Sequence, residues 1–152
     1  MKTTLPILLL LILTAFFSVG CASMATTPQQ RQELAAIPYP ADAQYAPNPD
    51  IVAQREGHNL RLINRTPWEY TDIQLWINQQ YVKRIDTIKI GTNNLYSLET
   101  CINEFEQPFP TGTFLKPERS FPVVLTELYD PISEKRYRLN SPPVRDDPGL
   151  FW

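Results

Sequence analysis

Glycine and histidine are both scarce in this chain, and both scarcities remove chemistry. Its five glycines, at positions 20, 57, 91, 112 and 149, stand too far apart for a phosphate cradle, a dinucleotide fingerprint or a nucleophile elbow. His58 is the single histidine, and with only Cys21 and Cys101 beside it the chain cannot assemble a Cys/His zinc site. Charge is close to balanced, with a mild acidic excess. The 14 basic side chains, less Lys2 if residues 1–20 are removed, face 16 acidic ones, a net of −3. Nucleic-acid binding needs a clustered basic surface, so no nucleic-acid partner is expected.

Catalytic groups are equally thin. A thiol nucleophile needs a neighbouring base, and Cys101 with His58 is the one pair available. Cys101 lies in Glu99-Thr-Cys-Ile-Asn103, where a free cysteine reads as a small buried apolar side chain. His58 opens a strand and reads as a solvated edge residue. Asp146-Asp147 sit in a proline-rich tail that does not fix two carboxylates at a working separation, and Glu104 and Glu106 flank Phe105 on the wet side of a turn. Asn64-Arg-Thr66 matches a glycosylation sequon, with Pro67 directly after it. The expectation is no catalytic residues, no metal, no cofactor and no enzymatic activity.

Long apolar runs are limited to one. Residues 5–19 are almost wholly apolar, preceded by Lys2, and about 15 residues are short of the ~20 that cross a bilayer core as a helix. Pro6, Thr14 and Ser18 interrupt the run, so an export signal helix is favoured over a permanent span. The run ends in Phe17-Ser-Val-Gly-Cys21. That ending resembles the lipobox of bacterial lipoproteins, in which small residues precede a cysteine that is acylated and becomes the new N-terminus. Val19, Gly20 and Cys21 fit it, while Ser18 departs from the usual leucine. The resemblance implies lipidation at Cys21 with two or three acyl chains, enough for stable anchoring. Ala22 stands where an aspartate would imply inner-membrane retention, so the resemblance places the protein on the outer membrane facing the periplasm. The alternative is cleavage after Ser23-Met-Ala25, which releases a soluble periplasmic or secreted protein.

Proline, by contrast, is plentiful at 15 residues, and it marks the boundaries. Pro28, Pro38, Pro40, Pro47 and Pro49 punctuate residues 21–56, which read as the lipidated cysteine followed by a proline- and alanine-rich linker. Residues 29–36 contain helix formers enough for two turns, marginal in isolation. Tyr39 and Tyr45 are the linker residues able to dock on something. Residues 142–152 are a tail ending in Leu150-Phe-Trp152, three apolar residues expected to dock on the domain.

Between them, residues 57–141 alternate as strands do. Leu60 and Leu62 share one face of the first strand, and Ile73, Leu75 and Ile77 one face of the strongest, residues 70–77. Asn78-Gln79 reads as a two-residue hairpin turn, which sets Trp76 opposite Tyr81 and Leu75 opposite Val82. Residues 95–98 are a short strand after a turn at 91–94. Residues 99–105 read as a helical turn carrying Cys101, Ile102 and Phe105 inward. Residues 121–129 are apolar enough for a central strand, and residues 135–140 close with Tyr137 and Leu139 inward. Lys135, Arg136 and Arg138 read as a solvated basic strip. The expected fold is all-β, a small antiparallel β-sandwich of six or seven strands. This pattern resembles the small immunoglobulin-like domains of bacterial envelope proteins, without their core disulfide.

The candidate binding surface is aromatic. Trp68, Tyr70, Trp76 and Tyr81 fall within one hairpin and its lead-in, and Trp76 with Tyr81 is expected outside the main core. Two readings stand beside each other: a second small cluster covered by linker or tail, or an exposed platform for a sugar ring or partner protein. The functional expectation is a membrane-anchored envelope lipoprotein whose domain has a binding or structural role, engaging an envelope protein or glycan. The alternative is a carbohydrate- or peptidoglycan-binding module, and a small hydrolase using His58 comes third.

Overall fold

A computed structural model of the chain describes residues 26–112 and 121–141. The expectations that concern residues 1–20, Cys21 and the tail with Leu150, Phe151 and Trp152 lie outside the described residues. Within them the protein is mostly β, with eight strands in two sheets and one α-helix. The strands are β1 (Gln44–Ala46), β2 (Ile51–Glu56), β3 (Asn59–Asn64), β4 (Tyr70–Ile77), β5 (Tyr81–Ile88), β6 (Gly91–Ser97), β7 (Thr126–Asp130) and β8 (Lys135–Arg138). The larger sheet runs β1-β8-β7-β4-β5 and the smaller β2-β3-β6. Every pairing is antiparallel except β1 with β8.

One core draws on both sheets. Ile51, Ala53, Leu60 and Leu62 supply it from the smaller sheet, and Ile73, Leu75, Ile77 and Leu128 from the larger. Period-two alternation puts each set on a single face, as the sequence predicts for β3 and β4. Leu139 is buried and Tyr137 packs against the same core, also as expected. Cys101 and Ile102 are buried after a single 3₁₀ turn, Leu98–Thr100, but Phe105 points out, 70% exposed. The backbone reverses at Asn103–Gln107, where the Asn103 carboxamide accepts from the Phe105 and Gln107 amides and leaves Phe105 at the tip.

The hairpin register differs from the expected one by a residue. Three residues, not two, connect β4 to β5, so Ile77 faces Tyr81, Trp76 faces Val82 and Leu75 faces Lys83. Asn78 and Gln79 both take left-handed backbone, at φ 52° and 61°. The longer loop is fastened from outside: Asn78 Oδ1 accepts from the Val124 and Leu125 amides at 2.9 and 3.0 Å, and its Nδ2 donates to the Pro122 carbonyl. The shift moves Tyr81 to the core face and leaves Trp76 with Val82 on the outer one.

The larger correction concerns the linker. Residues 26–56 carry α1 (Pro28–Ala35), β1 and β2, and are built into the fold. Thr27 caps α1 in a capping box with Gln30, and Pro28 occupies its first turn. An eight-residue helix is marginal alone, and the buried Leu34 fixes this one against Trp76, Val82 and Ile102. β2 pairs with β3 along its full length, Ile51 with Asn64 through Glu56 with Asn59. Its other edge is tied to the chain's far end by the Ala53 amide, which donates to the Asn140 carbonyl at 2.9 Å. Likewise Val82 in β5 exchanges both backbone bonds with Ile102.

Candidate functional site

The four aromatic residues do not form one surface. Trp76 is 3% exposed, its ring met edge-on by Tyr39 at 5.2 Å between centroids. Tyr81 is 7% exposed in the main core, edge-on to Phe109 at 5.0 Å, and Tyr70 packs half-buried against that core. Trp68 is 65% exposed and stands apart in the β3–β4 turn. Of the two sequence readings, the covered cluster describes Trp76, with the cover supplied by the N-terminal segment.

That cover produces a groove. Residues 34–39 form one wall; Trp76, Val82 and Ile102 lie beneath; Gln79, Gln80, Glu104 and Phe105 form the opposite rim. Its volume is about 460 Å³, within the range of small-ligand sites. Phe105 supplies the exposed apolar contact, the glutamines and Glu104 the polar ones. Among the described residues no Lys or Arg lines it, and the lining they supply suits a neutral or cationic group better than an anion.

A second cluster sits beside the groove and escapes sequence reasoning. Glu127 on β7 is fully buried, on the outer face of the larger sheet opposite Trp76. A buried carboxylate costs several kcal/mol unless its oxygens are satisfied. Here one oxygen accepts the Tyr39 hydroxyl at 2.8 Å and the other the Tyr45 hydroxyl. Arg136 on β8 is 7% exposed and not the solvated residue expected. Its guanidinium donates to the Ala41 carbonyl at 2.8 Å, the Ala43 carbonyl at 3.0 Å and the Tyr39 oxygen, and lies 4.2 Å over the Tyr45 ring. Burial, and then the neighbouring Glu127 carboxylate, push the Tyr39 phenol far above its usual range. It therefore remains a donor at any ordinary pH. Lys135 and Arg138 are exposed, as the solvated reading has them.

The other candidate chemistry does not come together. His58 Nδ1 lies 3.3 Å from Glu99 Oε1, and both side chains are about half exposed. Thr111 donates to that same oxygen at 2.8 Å. The carboxylate thus stands between hydroxyl and imidazole, which leaves the imidazole unable to take the hydroxyl proton as a triad requires. Cys101 is buried and its thiol pushed up to about 12 by that burial, so it is protonated and shielded. The Asn64 amide of the sequon is buried too, donating to the Trp68 carbonyl and accepting from Thr66. Among the described residues there is no group of His, Cys, Asp and Glu arranged to hold a metal ion, and no helix is long and apolar enough to cross a membrane.

No protein-family model matches the chain, and neither a curated protein nor a solved structure matches it.

Proposed function

We propose that this is a lipid-anchored envelope lipoprotein whose body is an immunoglobulin-like β-sandwich acting as a binding module, with no catalysis of its own. The observation that carries the anchor is Phe17-Ser-Val-Gly-Cys21 at the end of a 15-residue apolar run. Acyl chains on Cys21 hold the protein to the outer membrane, facing the periplasm, since two chains together make detachment rare.

The sandwich reading is supported by the sheet orders. Immunoglobulin-type domains place their last two strands beside the third, and their first strands beside the fifth, in two sheets with one shared core. The order β8-β7-β4-β5 in one sheet and β2-β3-β6 in the other has that arrangement. The binding reading is supported by the groove beneath α1, with Phe105 on its rim. It favours a partner protein of the envelope over a glycan, because three of the four aromatics a sugar platform would need are drawn into the two cores.

Two substitutions test the two halves. Cys21→Ser should move the protein from the membrane fraction to the soluble fraction and abolish acylation; retention in the membrane at unchanged mass overturns the anchor. Phe105→Ala should leave the unfolding midpoint within about 0.5 kcal/mol of wild type, as exposed sites do, and weaken crosslinking to envelope proteins in intact cells. Crosslinks that are unaltered in position and yield overturn the groove.

A further inference from the structure

Residues 26–46 form a strap: α1 and the stretch after it lie against the outer face of the larger sheet, and β1 joins that sheet as its edge strand beside β8. The groups on the body that grip the strap most specifically are ionic. Glu127 accepts only strap hydroxyls, those of Tyr39 and Tyr45, and every donation from the Arg136 side chain goes to strap oxygens, at Tyr39, Ala41 and Ala43. Apolar contact beneath the strap is smaller than in the main core: Leu34, Ala35, Ile37 and Tyr39 against Trp76, Val82, Ile102 and Tyr129. The main core lies on the other face of the sheet, and the fifteen buried residues that form it among the described residues include none from the strap.

These facts set the balance between closed and open states. When the strap leaves, a carboxylate and a guanidinium return to water, which solvates both well and offsets much of the lost bonding. The main core stays dry. An element with few buried apolar contacts and mostly polar fastenings opens before the rest of its domain does. The strap joins the body through Pro47-Asn-Pro-Asp50, and the Asp50 carbonyl, accepting from the Arg65 amide at 3.2 Å, marks where the body begins.

We propose that the strap is a separable latch, closed by Glu127, Tyr39, Tyr45 and Arg136, which opens while the two-sheet body remains folded. Two consequences follow, both resting on the anchor and groove readings above. Closed, only residues 22–25 separate the acylated Cys21 from the body, a reach of at most about 18 Å; open, residues 22–50 do, a reach approaching 100 Å. The groove loses a wall on opening, since residues 34–39 belong to the strap. A ligand seated in the groove therefore favours the closed strap, and by linkage a closed strap favours the ligand. The latch thus ties occupancy to distance from the membrane.

The test is amide hydrogen exchange read by mass spectrometry on the full chain in detergent micelles, comparing wild type, Tyr45→Phe and Glu127→Gln. Tyr45→Phe removes one hydroxyl at a half-exposed ring and is the milder variant. In wild type, peptides from residues 28–46 should exchange faster than those from β3 and β4. Both variants should speed exchange there roughly ten- to hundredfold, the worth of a charge-assisted bond, and leave β3 and β4 within about twofold. Strap and body exchanging at one common rate in wild type overturns the latch. So does equal acceleration of both, or none, in the variants. The mass of the N-terminal peptide in the same digest reports acylation of Cys21. A strap that opens on an unacylated chain keeps the latch and discards the tether, so the two failures are told apart.

Discussion

Trp76 and Trp68 are eight residues apart and present opposite cases. Trp76 lies between the sheet and Tyr39, and its removal leaves a cavity under α1. Trp76→Ala should lower unfolding free energy by about 3–5 kcal/mol, while Trp68→Ala should stay within about 0.5 kcal/mol of wild type; urea melts measure both. A small loss at Trp76 would mean that the strap does not cover it in solution. The sequence names both residues but cannot rank them, because the ring that covers Trp76 is Tyr39, far away in the chain. Glu127 is harder still. It stands in Val123-Val-Leu-Thr-Glu-Leu-Tyr129, a run apolar enough to predict a central strand. An acid there was the available signal, since a central strand implies burial and a buried carboxylate demands partners. Its partners lie 88 and 82 residues away, in a stretch with no periodicity to advertise them.

At the scale of elements, alternation was the informative signal. It located β4 at Tyr70–Ile77 and the inward faces of β3 and β4 because burial on one side of a sheet leaves period two in the sequence. The hairpin register was not legible, since two- and three-residue loops draw on similar residues and the choice depends on Asn78 bonding to a segment more than forty residues on. The same bonds separate two neighbours that look alike. Gln79 has φ 61° and its carboxamide forms no hydrogen bond among the described residues, so Gln79→Gly should relieve left-handed strain and stabilise the protein by about 0.5–1 kcal/mol. Asn78→Ala, by contrast, deprives two backbone amides of their acceptor and should cost about 1–3 kcal/mol. Thermal melts of the pair test the assignment, and destabilisation by Gln79→Gly would overturn it. The N-terminal segment was misread as a spacer because prolines and short polar runs look alike whether a chain is free or docked. The helix formers of residues 29–36 did point to the two turns of α1, and the Thr27–Gln30 capping box fixes where it starts.

For the whole molecule, burial of acidic protons sets an alkaline limit. Cys101 and Tyr96 are each held up to about 12, chiefly by desolvation, against 9 and 10 for the free groups. Raised folded values mean that the unfolded chain loses these protons first as pH climbs. Stability is therefore complete below about pH 9 and declines between pH 9 and 12, by up to ~1.4 kcal/mol per pH unit for the fully buried Cys101 and by less for the partly exposed Tyr96, whose charge water screens. Cys101→Ala removes the earliest part, so its stability should begin to fall nearer pH 10; denaturant melts from pH 8 to 11 measure the onset. An onset unmoved by the substitution would place the thiol in water.

The treatment of the sheet edges has a bearing on how copies of the protein live together. A free strand edge is a template on which a second chain can add, and the hazard rises with local concentration. The proposed lipid anchor at Cys21 would crowd neighbours in two dimensions. Here β5 is interrupted at Val82 by Ile102, β2 at Val52 and Ala53 by Asn140, and β1 is only three residues long. Three of the four sheet margins thus offer a second chain only short or interrupted runs of free backbone groups, and the seven-residue β6 is the fourth margin, where, among the described residues, an added strand would find the longest uninterrupted template.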